Sequence, residues 1–266
     1  MKIDGKSRIC AVIGNPVEHS LSPALHNAAF EEKKLNLCYV AFRVEDLAAA
    51  MAGVKGLDLL GLSVTIPHKV AILPYLDEVE ETARRIGSVN TVLNKEGRLI
   101  GYNSDGMGAV RALQEADILL PGKKITILGS GGAARAISFT LGKEVPLKEM
   151  MLLGFEVEEC RLLAEDLEKT VPFPVGWEPL SPETLSQHIA DSEGVVHCTP
   201  VGMSPHPDQS ILDRKLLRSG QFVFDIVYNP LKTKLLEEAE AEGCRIVPGV
   251  EMFINQAVFQ FELWTG

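Results

Sequence analysis

No apolar stretch in this chain reaches the roughly 18–20 residues a membrane-spanning helix requires. The opening Met1-Lys2-Ile3-Asp4-Gly5-Lys6 lacks the apolar core of a secretory signal. Neither a membrane nor an export route is expected, and a cytoplasmic protein follows. Cysteine is sparse. Cys10, Cys38, Cys160, Cys198 and Cys244 are far apart, odd in number and form no C-x-x-C. That excludes a disulfide framework and gives no metal-ligand spacing, so they read as small core residues in a reducing compartment. Positive charge is also short: 26 Lys and Arg stand against 36 Asp and Glu, a net −10. The imbalance argues against nucleic acid and anionic membrane as partners. The acids are scattered, which makes them a solvated surface. Neither an internal repeat nor a low-complexity tract is present.

What the chain does have is core material. Its 266 residues are 46% hydrophobic, enough for two domains. Short apolar runs alternate with amphipathic segments. Strands are predicted at 8–13, 38–42, 60–66, 91–93, 99–102, 150–153, 194–198 and 222–226. Helices are predicted at 22–30, 45–54, 105–115, 160–168, 234–242 and 252–263. Asn94-Lys95-Glu96-Gly97 reads as a hairpin turn. Alternating β and α throughout predicts an α/β protein with parallel sheets.

Near the middle, Lys124-Ile125-Thr126-Ile127-Leu128 runs into Gly129-Ser130-Gly131-Gly132-Ala133-Ala134-Arg135. The spacing is G-x-G-x-x-A. Gly129 would make the tight turn, Gly131 would let backbone approach a pyrophosphate, and Ala134 would allow close helix–strand packing. Backbone N–H groups of the new helix would then face phosphate. A Gly-Gly turn can also join strand to helix for geometry alone. The flanking strand and helix are the context that favours the nucleotide reading. A Rossmann-type dinucleotide-binding domain is therefore expected over 105–248, after an α/β domain over 1–104, with a ligand cleft between them.

The first half carries chemistry-bearing side chains. Ser20 and Ser22 lie at i and i+2 just before a helix, where two hydroxyls can hold a carboxylate; Ser22 before Pro23 is also a good N-cap. Thr65 stands at a strand end and Lys69 in a helical first turn, where the dipole disfavours a cation. Asp105, at another helix start, is either a cap or an acid to partner that lysine. A lysine with such an acid beside it can give or take a proton, since burial and neighbours readily move its pKa.

Taken together, these segments resemble the shikimate dehydrogenase family. The resemblance rests on Asn15-Pro16…His19-Ser20-Leu21-Ser22-Pro23, Val64-Thr65-Ile66-Pro67-His68-Lys69, Ser88-Val89-Asn90-Thr91 and Asn103-Ser104-Asp105-Gly106. It continues through 129–135, Thr199-Pro200-Val201-Gly202-Met203, Asp225-Ile226-Val227-Tyr228-Asn229-Pro230 and Pro248-Gly249-Val250-Glu251-Met252…Gln256-Ala257. It covers nearly the whole chain in order. It implies reversible reduction of 3-dehydroshikimate to shikimate by NADP or NAD, in the biosynthesis of chorismate and aromatic amino acids. It implies a substrate domain from 1–104, with a C-terminal helix at 249–266 packing back on it. By matching positions, Ser20 and Ser22 would hold the carboxylate with Tyr228. Thr65, Lys69, Asn90, Asp105 and Gln256 would grip the ring hydroxyls. Gly129, Ser130, Gly131, Gly132, Ala133, Gly154 and Glu156 would hold the dinucleotide, with Glu81, Ile226 and Gly249 lining the nicotinamide cleft. A monomer or homodimer is expected.

Three departures stand out. Ser63 replaces the family's usual Asn, which puts one ring-hydroxyl contact in question. His197 replaces another Asn and reads as a hydrogen-bonded structural histidine. After the second Rossmann strand, NADP-using members carry an Asn-Arg-Thr motif and a further Arg; here the run is Gly154-Phe155-Glu156-Val157-Glu158-Glu159. Family membership favours NADP, while the local acids favour NAD, whose ribose diol a Glu can bind. Helix-start acids are also ordinary dipole partners. Alternatives are a quinate or dual quinate/shikimate dehydrogenase and a ligand-sensing module on the same fold. A folate-type dehydrogenase finds no support in the Ser20/Ser22 pair. Retention of Lys69 with Asp105 favours an enzyme over a sensor.

Overall fold

A computed structural model of the protein describes residues 3–266. The chain forms two compact units, Met1–Ser104 with Gln256–Gly266, and Asp105–Asn255. In the first, β1 (Arg8–Gly14), α1 (Ser22–Glu32), β2 (Leu37–Arg43), α2 (Leu47–Gly56) and β3 (Gly61–Val64) build a layer whose strands pair in parallel, β2-β1-β3. Cys10-Ala11-Val12-Ile13 is buried throughout, because the strand is covered on both faces. Ala11 and Ile13 enter one core with Leu62, Val64 and Ile72; Cys10 and Val12 enter another with Phe30, Tyr39 and Trp264.

The chain continues through α3 (His68–Ala71), β4 (Glu78–Val79), α4 (Glu81–Ile86) and the hairpin β5 (Thr91–Lys95) and β6 (Arg98–Tyr102). Glu96 and Gly97 both take positive φ, 55° and 84°, the geometry of a two-residue hairpin turn. The Asn94 side chain accepts from the Gly97 N–H at 2.8 Å. A two-residue loop joins antiparallel neighbours, so β5 opposes β6; β5 also pairs antiparallel with β3. The first sheet, β2-β1-β3-β5-β6-β4, is therefore mixed. The parallel pairing that the alternation predicts holds for β2-β1-β3, and the predicted hairpin supplies antiparallel pairs.

The second unit contains α5 (Asp105–Glu115), β7 (Lys124–Leu128), α6 (Gly132–Glu144), β8 (Glu149–Gly154), α7 (Val157–Glu168), β9 (Val175–Pro179) and α8 (Pro182–Ile189). It is completed by β10 (Gly194–His197), β11 (Phe222–Asp225), α9 (Lys234–Ala241), β12 (Arg245–Pro248) and the start of α10 (Gly249–Thr265). All of its strand pairs are parallel, in the order β12-β11-β10-β7-β8-β9. That is the doubly wound dinucleotide-fold order, and it reverses between β7 and β10, where such sheets bind ligands. Helix α10 is shared, residues 249–255 counting with the second unit and Gln256–Gly266 with the first.

Candidate active site

The glycine-rich segment lies at the carboxyl end of β7, on the side of the switch point. Gly129 has φ 110°, a conformation that favours glycine. A Cβ there would also press on Thr199 Cγ2 at 3.1 Å. Added Cβ atoms at Gly131 and Gly132 would meet nothing within 4 Å, so this backbone lies open to an approaching group. Gly131 is the N-cap residue of α6 and has no side-chain cap. A thirteen-residue helix thus directs its unpaired N–H groups and dipole at that opening. The donor set and the open backbone fit a pyrophosphate. Ser130, Gly154 and Glu159 close the turn from behind: Ser130 Oγ donates to Glu159 Oε2 at 3.3 Å, and a Cβ on Gly154 would stand 3.1 Å from Ser130 Oγ. Ala133, half-buried, follows in the first turn of α6.

The acidic run after β8 is exposed. Glu156 is the N-cap residue of α7, but its side chain makes no capping hydrogen bond. The two arginines within reach of the α6–α7 region in sequence are both committed to acids. Arg135 pairs with Asp166 at 2.8 Å and lies over the Phe139 ring. Arg161 pairs with Glu158 at 2.6 Å and with Glu165. Those carboxylates raise the Arg161 guanidinium above its ordinary range, Glu158 most of all.

In the first unit, the Ser20–Ser22 loop differs from its sequence reading. Leu21, not Ser22, is the N-cap residue of α1, and it makes no side-chain cap bond. Ser22 is already inside the helix, its N–H donating to Ser20 Oγ at 3.3 Å. Ser22 is buried and hydrogen-bonded to Tyr39, whereas Ser20 is half-buried. Thr65 follows β3, its N–H bonded to Ile13 O at 3.0 Å. Lys69, half-buried, sits on the four-residue α3. So short a helix has little dipole, which removes the electrostatic mismatch expected for a lysine there. The Lys69 carbonyl accepts from Val89 N at 2.8 Å, tying α3 to the segment that carries Asn90.

Asn90 is buried, and its orientation is well determined. Its Oδ1 accepts from Ser104 N at 2.7 Å, Thr91 Oγ1 at 2.8 Å and Ser104 Oγ at 3.1 Å. Ser104 Oγ also lies 3.3 Å from Gln256 Oε1, so Asn90 and Gln256 share a neighbour. Ser63 is not a pocket hydroxyl. It is buried, accepts from the Tyr39 phenol at 2.6 Å and donates to Gln260 Oε1 at 2.7 Å. Desolvation drives the Tyr39 phenol well above its usual range, so it stays a neutral donor.

Asp105, half-buried, begins α5 in the second unit. Tyr228 is exposed and stacks on Phe253, ring centroids 5.1 Å apart. Ile226 follows β11, its N–H bonded to His197 O at 3.1 Å, and a Cβ on Gly249 would collide with the Ile226 carbonyl. Glu81, in contrast, is an exposed residue of α4 paired with Arg85 at 2.5 Å. His197 is buried and bridges Asp225, at 2.9 Å, to Thr199, at 2.5 Å. Asp225 also accepts from Val227 N and Thr233 Oγ1. The imidazole therefore ties together the loops after β10 and β11, as a structural histidine.

Sequence reasoning missed Tyr39, Thr91, Ser104 and Gln260 as organisers of Asn90. Thr91 and Ser104 belong to recognisable motifs, but nothing local marks Gln260 beyond its i+4 spacing from Gln256. Among the described residues no cluster of His, Cys, Asp and Glu could hold a metal ion, and no helix is long and apolar enough to cross a membrane.

Residues 12–92 match the model of the shikimate dehydrogenase substrate binding domain, and 249–266 that of the shikimate 5'-dehydrogenase C-terminal domain. A curated shikimate dehydrogenase (NADP(+)) of Bacillus cereus is 45% identical over 262 residues, 97% of this chain and 93% of the relative. A crystal structure of shikimate 5-dehydrogenase from Listeria monocytogenes in complex with shikimate and NAD superposes with a TM-score of 0.95 at 36% identity, covering 100% of this chain and 94% of that one. The Thermus thermophilus enzyme in complex with NADP(H) and shikimate gives 0.87 at 36% identity, over 97% and 94%.

Proposed function

This chain belongs to the shikimate dehydrogenase family, and from that premise we propose that it interconverts 3-dehydroshikimate and shikimate with a nicotinamide dinucleotide. The observation that carries the reading is the full-length match to shikimate dehydrogenases. Lys69, Asp105, Ser20, Ser22, Asn90 and Gln256 all stand in the segments that resemble the family's motifs. The dinucleotide supplies the hydride; the chain's own residues bind, orient and move the proton.

On this proposal, Ser20 and Ser22 hold the substrate carboxylate through hydroxyls, helped by Tyr228. Thr65, Asn90 and Gln256 hold the ring hydroxyls. With its Oδ1 engaged by Thr91 and Ser104, what Asn90 offers a substrate oxygen is the donor Nδ2. In the reducing direction Lys69 gives its proton to the oxygen that becomes the alcohol, and in the oxidising direction it takes that proton back. Asp105 orients the ammonium and shares the same hydroxyl. Gly129, Ser130, Gly131, Gly132 and Ala133 cradle the pyrophosphate, Gly154 and Glu156 flank the adenosine ribose, and Ile226 and Gly249 line the nicotinamide. Glu81 has the least structural support among these positions.

For the choice of dinucleotide we infer that NAD serves at least as well as NADP. A 2′-phosphate carries close to two negative charges and is best met by an arginine fork. Glu156 and Glu158 stand after β8 instead, and Arg135 and Arg161 are already paired with acids. The relatives named for NADP(+) weigh on the other side.

One assay matrix tests the whole reading: shikimate and quinate, each with NAD and NADP, followed at the reduced-nicotinamide absorbance. Shikimate turnover is expected, with kcat/KM for NAD equal to or above that for NADP. No turnover of either acid would return the chain to the sensor alternative. A strong NADP preference would overturn the cofactor inference alone.

A further inference from the structure

We propose that Gln260 is a positioning residue for the substrate: its buried carboxamide sets the hydrogen-bond direction at Asn90 and Gln256. The proposal rests on the shikimate reading above and extends it to a residue that touches no substrate.

Gln260 is 2% exposed, one helical turn beyond Gln256 on α10. Both ends of its amide are engaged. Oε1 accepts from Ser63 Oγ at 2.7 Å and lies 3.3 Å from His26 Nε2. Nε2 donates to Thr91 Oγ1 at 3.0 Å and is within 3.4 Å of Ser104 Oγ and 3.5 Å of Asn90 O. An amide whose O and N ends were exchanged would set its NH2 against the hydroxyl proton of Ser63. That proton is aimed at Gln260 because Ser63 already accepts from the Tyr39 phenol at 2.6 Å. Burial holds the His26 imidazole down to about 4, so the ring is neutral, and with Gln260 so oriented its Nε2 carries the hydrogen that meets the carbonyl oxygen.

The consequence lies on the other side of the amide. A hydroxyl has one proton and two lone pairs. When Gln260 Nε2 fills a lone pair on Thr91 and approaches Ser104, their protons are turned toward the remaining acceptors. Those acceptors are Asn90 Oδ1, at 2.8 Å from Thr91 and 3.1 Å from Ser104, Gln256 Oε1, at 3.3 Å from Ser104, and Ser104 Oγ itself, at 3.1 Å from Thr91. A directed chain results: Tyr39 to Ser63 to Gln260, then Gln260 to Thr91 and Ser104, then to Asn90 and Gln256. Buried networks of this kind are rigid when every member is satisfied. Here rigidity presents Asn90 to substrate as a donor. The two halves of the chain come from strands β2 and β3 on one side and the β5 segment on the other; Ser63 and Thr91 are paired across β3 and β5, and Gln260 of α10 links their hydroxyls.

Two volume-conserving variants separate positioning from packing. Gln260→Met keeps the bulk and removes all of the hydrogen bonds. Gln260→Glu keeps the shape but has no donor for Thr91, whose proton would turn to the carboxylate and away from Asn90. Each variant is expected to raise the KM for shikimate about tenfold or more, the scale of one lost buried hydrogen bond. The KM for the dinucleotide should stay within about twofold, and kcat should change less than the shikimate KM. A residue that only fills space would lower Tm and leave the shikimate KM of the folded protein unchanged. Thr91→Val, which cuts the same chain without touching Gln260, should reproduce the shikimate KM effect. Combined with Gln260→Met it should add little, since the two act in series. Should the Gln260 variants fail to fold, Thr91→Val and Ser63→Ala keep the test open through the same KM split. The parent protein is measured first, and its turnover of shikimate is the test of the function itself. With that turnover established, a shikimate KM within about twofold of the parent in the folded variants would overturn the role of Gln260.

Discussion

Lys69 is the residue on which the chemistry turns. It is half-buried on α3, a helix too short to oppose its charge. Lys69→Ala should lower kcat by ~10²–10⁴-fold, the usual scale for a general acid–base group, with a smaller change in shikimate KM. Steady-state rates at saturating dinucleotide decide it; near-parental kcat would require another proton donor. His26 gives a second prediction at this scale, on stability. Desolvation holds its imidazole at about 4 against an ordinary 6.5, even though its bond to Gln260 pulls the other way. As pH falls below the ordinary value, the unfolded chain takes up a proton that the folded chain resists. The stability from keeping His26 neutral is therefore full above about pH 6.5 and is lost as pH falls toward about 4. Each tenfold weakening of proton binding is worth ~1.4 kcal/mol, so the loss is at most roughly 3 kcal/mol. Denaturant titrations from about pH 7 to about pH 4 should show a shallower fall for His26→Phe than for the parent. Parallel curves would mean that His26 contributes nothing to the acid sensitivity.

Between elements, the closest packing is α5 on α6. Gly106, one residue beyond Asp105, lies where an added Cβ would collide with Thr140 Oγ1 and stand 2.6 Å from the Ala136 carbonyl. The obstruction includes helix backbone, so it cannot be relieved by a side-chain turn. Gly106→Ala should cost ~1–3 kcal/mol by overpacking, a fall in Tm of several degrees, and should displace the start of α5 that carries Asp105. Calorimetry together with kcat measures both; an unchanged Tm would show that α5 can slide without cost. The elements absent from the sequence reading are helices α4 and α8 and three strands. β4 (Glu78–Val79), β9 (Val175–Pro179) and β12 (Arg245–Pro248) are edge strands, and α4 buries only Ala83 and Ile86. An edge strand has one neighbour and a half-exposed face, so its own residues hardly alternate; its partner defines it.

Across the whole molecule, the two units should answer to different ligands. A ligand at a hundred times its Kd adds about 2.7 kcal/mol to whatever it binds. NAD should therefore slow amide exchange around the glycine-rich turn, residues 128–135, and after β8. Shikimate should slow it at residues 63–69 and 88–91. Exchange mass spectrometry with each ligand alone reads this pattern. Protection of 63–69 by the dinucleotide alone, with none at 128–135, would reverse the assignment of roles to the units.

Local chemistry makes much of this protein legible in one dimension. Gly129 declares a strand–turn–helix because few other residues can make that turn, and Asn94-Lys95-Glu96-Gly97 declares a hairpin for the same reason. The motifs carrying Ser20, Ser22, Lys69, Asn90 and Asp105 are short and contiguous, so their residue types and spacing survive without coordinates. What the sequence could not reveal depends on contacts between distant segments. The hairpin is visible in the residues, but that it joins the parallel strands by pairing β5 against β3 is settled only by the fold. Ser22 has the residue type of a helix cap, yet the fold places it inside α1 against Tyr39. Ser63 has the chemistry of a shortened substrate ligand, yet its hydroxyl is taken by Tyr39 and Gln260, the latter 197 positions away. Arg135 and Arg161 have the donors to hold a phosphate, and the fold gives them Asp166, Glu158 and Glu165 instead. A side chain's type is written in the sequence; the partner that satisfies it once buried is decided by packing, because desolvation makes every polar group take the nearest complement the fold supplies.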